Sequence, residues 1–171
     1  MTIPALGAVY PRMKRALLIA AVVAAGVGYA TASHAASATV PACPSRAPQV
    51  ASQGAAAKRF VRPGATAMRL CRYYGVNWGD SYGLRKQGLV RDHVTIGSVT
   101  RSFNRLQEPP RGIFCVKDDG SELLVVFAHK TGRAERVVVK LGGCLFATNG
   151  HSTRWATQRL KKRLLNLINS R

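Results

Sequence analysis

The sequence predicts an α+β domain: an antiparallel sheet of about four to five strands with two helices packed on one face, and two disulfides. Three observations carry this expectation. Short apolar runs alternate with turns rich in Gly and Asp, most clearly over residues 113–147. Two further segments repeat apolar residues at helical spacing. Four cysteines, Cys43, Cys71, Cys115 and Cys144, all follow an N-terminal segment that reads as an export signal.

That segment comes first in the chain. Residues 1–15 carry Arg12, Lys14 and Arg15 and no acid, and residues 16–32 are uncharged and apolar or small. Ser33-His34-Ala35-Ala36 then offers small residues where a signal peptidase cuts. This is the layout of a secretory signal peptide over residues 1–35. A retained N-terminal anchor with the domain outside is the alternative, since a run this short is near the lower limit for a membrane span. Residues 36–66, rich in Ala, Ser and Pro, read as an extended arm tethered at Cys43, and residues 67–171 as a single α+β domain.

Within that domain residues 68–74 alternate and carry aromatics, so they are expected to form a strand. Residues 75–83 form a loop and residues 84–90 a short second strand. Ile96, Val99, Phe103 and Leu106 then fall on one face of a helix that Asp92 or Thr95 would cap and Pro109-Pro110 would stop. Residues 113–116 read as a short strand and Lys117-Asp118-Asp119-Gly120 as a turn. Residues 122–128 are apolar on both faces, as in a central strand. Residues 130–133 close a hairpin with residues 135–141, and residues 144–147 read as a last strand. Ser152 or Thr153 is expected to cap a C-terminal helix running to about Asn169, with Ala156, Leu160, Leu164, Leu167 and Ile168 as its buried stripe.

An even number of cysteines in a small exported chain reads as a bridge framework. Four cysteines allow about three pairings, and spacing alone does not choose among them. Cys43 with Cys71 and Cys115 with Cys144 is preferred, because the second bridge would clip the first segment of the meander to its last.

The chain has 26 Lys and Arg against 7 Asp and Glu, a formal charge of +19, of which three positive charges belong to the export signal. The excess is uneven. Residues 112–143 hold five cations and four acids, whereas residues 144–171 hold six cations and no acid. In the C-terminal helix Arg154, Arg159, Lys161, Lys162 and Arg163 spread over the side away from the apolar stripe, as candidate contacts to an anionic surface. No RNP, helix-turn-helix or finger pattern accompanies them, so no specific nucleic acid is expected.

Catalytic patterns are thin. Gly79-Asp80-Ser81-Tyr82-Gly83 matches G-x-S-x-G, but that chemistry needs Ser81 on a strand-to-helix elbow, and here a loop is expected. His93, His129 and His151 have no metal-ligand partner three or four residues away. Asp118, Asp119 and Glu122 are too closely spaced for a calcium loop and fit an Asp-Gly turn. No catalytic residue, metal or cofactor is expected.

At Leu70-Cys71-Arg72-Tyr73, Phe103-Asn104-Arg105-Leu106, Cys115-Val116-Lys117-Asp118-Asp119-Gly120 and Leu141-Gly142-Gly143-Cys144-Leu145-Phe146-Ala147-Thr148-Asn149-Gly150 the chain resembles a group of uncharacterised small secreted bacterial proteins. The resemblance covers about residues 66–169 and implies no particular activity. The chain is also similar to the bacterial subtilisin-inhibitor-like family, which shares a signal peptide, two disulfides, a helix ending near Leu-Asn-x-Leu, and a Cys-hairpin-Cys order. That resemblance implies that the loop after the third cysteine enters a protease. Here it is Val116, Lys117, Asp118, Asp119 and Gly120, with Val116 where the family has proline.

The expectation from sequence is thus a secreted, non-enzymatic basic domain. Its partner is an anionic cell-envelope polymer or lipid surface, or a secreted protein. A protease-inhibitor-like protein is the alternative.

Overall fold

The computed structural model describes residues 39–49, 59–75 and 83–170. The elements run β1 (Ala67–Tyr73), β2 (Leu84–Val90), α1 (His93–Asn104), β3 (Glu122–Ala128), β4 (Glu135–Lys140), β5 (Phe146–Thr148), β6 (Thr153–Trp155) and α2 (Gln158–Asn169). The six strands form one antiparallel sheet in the order β2-β1-β3-β4-β5-β6. The class is therefore α+β with two disulfides, and the sheet has six strands rather than four to five.

β3 explains the layering. Successive side chains of a strand point to opposite faces, and β3 is apolar at nearly every position. Leu123, Val125 and Phe127 enter the main core with Met68, Leu70, Val137 and Val139. Ile96, Val99 and Phe103 of α1 and Leu160, Leu164 and Ile168 of α2 belong to the same cluster. Phe103 sits between Phe60, 6.1 Å away by ring centroid, and Phe127, 5.9 Å away and edge-on. Each such fully buried side chain contributes about 1.5–3 kcal/mol.

Leu124 and Val126 point the other way, into a second cluster with Cys71, Tyr73 and Val138, against which Cys43 and Ala47 pack. The segment read as an arm therefore covers part of the far face. The Cys43–Cys71 bridge, with Cα atoms 5.8 Å apart, fixes it there. The Tyr73 hydroxyl donates to the Pro44 carbonyl at 3.0 Å, and burial pushes its phenol up to about 12. Phe60, Val61 and Ala65, also in that segment, reach the main core instead. Asn104 holds Val61 by both backbone groups: the Val61 amide donates to Oδ1 at 2.9 Å and Nδ2 donates to the Val61 carbonyl at 2.8 Å.

α1 starts as its sequence signals require. Asp92 is the N-cap and accepts from the amides of Val94 and Thr95 at 3.3 and 2.8 Å. Hydrogen bonding by Thr95 holds its carboxyl below the ordinary range.

Two further expectations are corrected. Residues 113–116 are not a strand: they form no ladder pair, and the bridge at Cys115 holds this stretch instead. The C-terminal helix does not begin at Ser152 or Thr153. Asn149 closes a turn by accepting from the amides of His151 and Ser152 at 2.9 and 2.8 Å, and Thr153–Trp155 returns as β6. An edge-on contact between Phe146 and Trp155, with centroids 5.7 Å apart, stabilises that hairpin. Thr157 is the actual N-cap of α2, accepting from the Leu160 amide at 3.1 Å.

Candidate functional site

α1 is joined to β3 by a connection whose second half, residues 113–120, is pinned from several directions. Cys115 is bonded to Cys144, with Cα atoms 5.0 Å apart. Two consecutive Asx turns follow. Asp118 Oδ1 accepts from the Gly120 amide at 2.9 Å, and Asp119 Oδ1 accepts from the amide and hydroxyl of Ser121 at 2.9 and 2.7 Å. Each short acid thereby replaces the missing backbone ladder. The Ser121 hydroxyl and amide hold the Asp119 carboxyl below its ordinary range, with the Lys161 charge assisting.

Glycines let this turn dock. A β-carbon at Gly142 would lie 2.7 Å from Asp119 Oδ1 and 2.9 Å from Asp118 Oδ1, closer than real side chains tolerate. One at Gly143, whose φ is +55°, would lie 3.0 Å from the Val116 carbonyl oxygen. One at Gly75 would collide with the Asp119 carbonyl. The base of the loop is thus seated on backbone from two other places in the chain. The Leu141 amide donates to the Ser121 carbonyl at 2.9 Å, and Lys161 Nζ donates to the Leu141 carbonyl, tying α2 to the same seat.

The seat presents apolar side chains to solvent. Phe114 is 100% exposed and Val116 is 76% exposed, on either side of the bridged Cys115. Lys117 is exposed beside them and has no ion-pair partner among the described residues. The carboxylates of Asp118 and Asp119 are engaged in the loop's own turns. The loop thus exposes two large apolar side chains above a base held by a bridge and two Asx turns.

The cationic candidates lie on β6 and α2: Arg154 belongs to the strand and not to the helix, while Arg159, Lys161, Lys162 and Arg163 are on the helix. Arg154 Nη1 pairs with Glu108 Oε1 at 2.9 Å, Lys161 is spent on Leu141, and Arg163 Nη1 donates to Ser98 Oγ at 2.9 Å. Arg159 and Lys162 are exposed. Arg159 and Arg163 line a small cleft of about 220 Å3 with Arg105.

Ser81 and its G-x-S-x-G context lie outside the described residues. The histidines are dispersed. His93 opens α1, His151 sits in the β5–β6 turn, and the largely buried His129 has Nε2 3.7 Å from Glu135 Oε2. Among the described residues no three potential ligands gather in a way that holds a metal ion.

No family model, curated protein or solved structure matches the chain. The two disulfides point to an oxidising compartment. Among the described residues no helix is long and apolar enough to cross a membrane.

Sequence reasoning placed the bridge and the acidic turn but missed the exposure of Phe114. Ile113-Phe114-Cys115-Val116 looks like a buried strand when read for apolar content alone. The signal against it was the flanking chemistry: Pro109-Pro110-Arg111-Gly112 before it and Asp118-Asp119-Gly120 after it are turn and breaker sequences on both sides.

Proposed function

We propose that the protein is a secreted, non-enzymatic binding domain that engages another protein through residues 113–120, and that the partner is a secreted serine protease which the loop inhibits. The observation that carries this reading is the full exposure of Phe114 on a loop that is otherwise immobilised by a bridge, two Asx turns and a glycine seat. Binding of a preordered loop forfeits little conformational entropy, which is how a small contact reaches high affinity. Lys117 is the exposed cation of the stretch, so a protease with an acidic specificity pocket fits best. The net charge of the chain adds attraction to anionic envelope polymers or lipid, with Arg159 and Lys162 free to contribute.

The test is titration of the exported protein against a trypsin-like protease and against one that prefers apolar residues. Stoichiometric inhibition of the first, abolished by Lys117→Ala, is expected. Steady cleavage across residues 116–120 without a persistent complex would reject the reading.

A further inference from the structure

A groove runs between α1 and residues 59–65. We propose that it binds a small amphiphilic anion: a carboxylate or phosphate head on a short apolar body. Its volume is about 510 Å3, within the range of about 300–1,000 Å3 usual for small-molecule sites. The decisive residue is Thr100. It is 4% exposed, it lines the groove, and its Oγ1 has no hydrogen-bond partner.

That hydroxyl is unusual for its position. A helical Ser or Thr ordinarily donates to the carbonyl four residues back. Ser102, on the same helix, does so to the Ser98 carbonyl at 3.0 Å. Thr100 does not, and a buried donor left unpaired is costly. An acceptor atom of a ligand in the groove would satisfy it.

The surroundings state which acceptor. Arg59 and Arg101 line the groove, and among the described residues neither guanidinium has an ion-pair partner. Arg101 lies over Gly97, where an added β-carbon would have only Arg101 Nη1 nearby, at 3.6 Å. Gly97, Ile96, Ala65 and Pro63 supply an apolar floor. Cations beside a buried hydroxyl select an anionic head, and the floor selects an apolar body. The walls are set before any ligand arrives. Asn104 brackets Val61, and the Arg62 amide donates to Glu135 Oε2 at 2.8 Å while its side chain pairs with the same carboxylate. The groove shares no residue with the 113–120 loop, so anion binding there does not depend on protease inhibition.

The experiment is an NMR titration of the exported protein with octanoate, octyl phosphate, inorganic phosphate and octanol. Octanoate or octyl phosphate is expected to shift Ile96, Gly97 and Thr100 signals saturably, and the tighter of the two identifies the head group. Inorganic phosphate and octanol should bind at least about tenfold more weakly, each lacking one half of the recognition. Thr100→Val keeps the shape and removes the hydroxyl. It should weaken the anion by about tenfold while the thermal midpoint holds or rises, because an unpaired buried donor has gone. Arg101→Gln should weaken it likewise. Absence of saturable shifts at these residues overturns the proposal. So does inorganic phosphate binding as tightly as octanoate, which would signify surface charge alone. A Thr100→Val protein with a lowered midpoint also overturns it, since the hydroxyl would then serve the fold.

Discussion

Phe103 is fully buried between Phe60 and Phe127, whereas Phe114, in the connection that follows the same helix, is 100% exposed. The two side chains are identical, so hydrophobicity does not decide between their fates. Phe103 is placed by the periodicity of α1, which turns it onto the sheet with Ile96 and Val99. Phe114 is placed by a covalent tether at its neighbour, Cys115, which is exposed while its partner Cys144 is buried, and the ring beside it stays in solvent. The helix stabilises the fold through its aromatic residue, and the loop keeps one out of the fold at a cost.

The largest effect that sharpens this contrast is Phe103→Ala. Removing a ring from the centre of the main core should destabilise by about 3–5 kcal/mol, measured as a shift in denaturant midpoint. A loss below about 1 kcal/mol would put Phe103 at the periphery. The bridges come next. They close loops of nearly equal length, with separations of 28 and 29 residues, so chain entropy alone assigns each about 3–4 kcal/mol. Cys71 is wholly buried in the second cluster while Cys115 is exposed. The double serine variant at Cys43 and Cys71 should therefore lose more than the one at Cys115 and Cys144. Equal losses would show that the packing around Cys71 adds nothing.

Phe114→Ala sits at the other end of the comparison. Stability should change by no more than about 0.5 kcal/mol, while a complex formed through the loop should weaken by about 2 kcal/mol or more. Calorimetry and a binding titration on one preparation would separate the two. The smallest effect is acid loosening of the loop. The Asp119 carboxyl lies below its usual value in the folded state, so its contribution is complete above the unfolded value and is lost as pH falls through the folded one. Protection of the Ser121 amide, taken relative to the free-peptide exchange rate at each pH, should fall in that window and protection in β3 should not. Uniform loss of protection would mean global acid unfolding instead.

The parts legible in the sequence were those with a long, regular signal. The β3–β4 hairpin announced itself through an apolar run, a Gly-containing turn and an alternating partner. The α1 stripe and its Asp92 cap followed from spacing. β6 was hidden because three residues are too few to establish a period, and its residues Thr153, Arg154 and Trp155 match a helix start as readily as a strand. The loop's acidic turn was legible, yet its exposed apolar pair was not, because exposure there is decided by the pairing of Cys115 with Cys144 and by the glycine seat. The unpaired hydroxyl of Thr100 has no sequence signature at all, since it depends on a rotamer.

The Cys115–Cys144 bridge spans the loop from one side to the other. Cys115 lies before residues 116–120 and Cys144 after them, and β1, from the first half of the chain, pairs with β3 from the second. A single backbone cut within residues 116–120 would therefore divide the polypeptide without dividing the molecule. The two new ends would stay side by side, one bridge and one sheet away from separating, so that hydrolysis there releases no product and the reverse reaction begins with its reactants already joined.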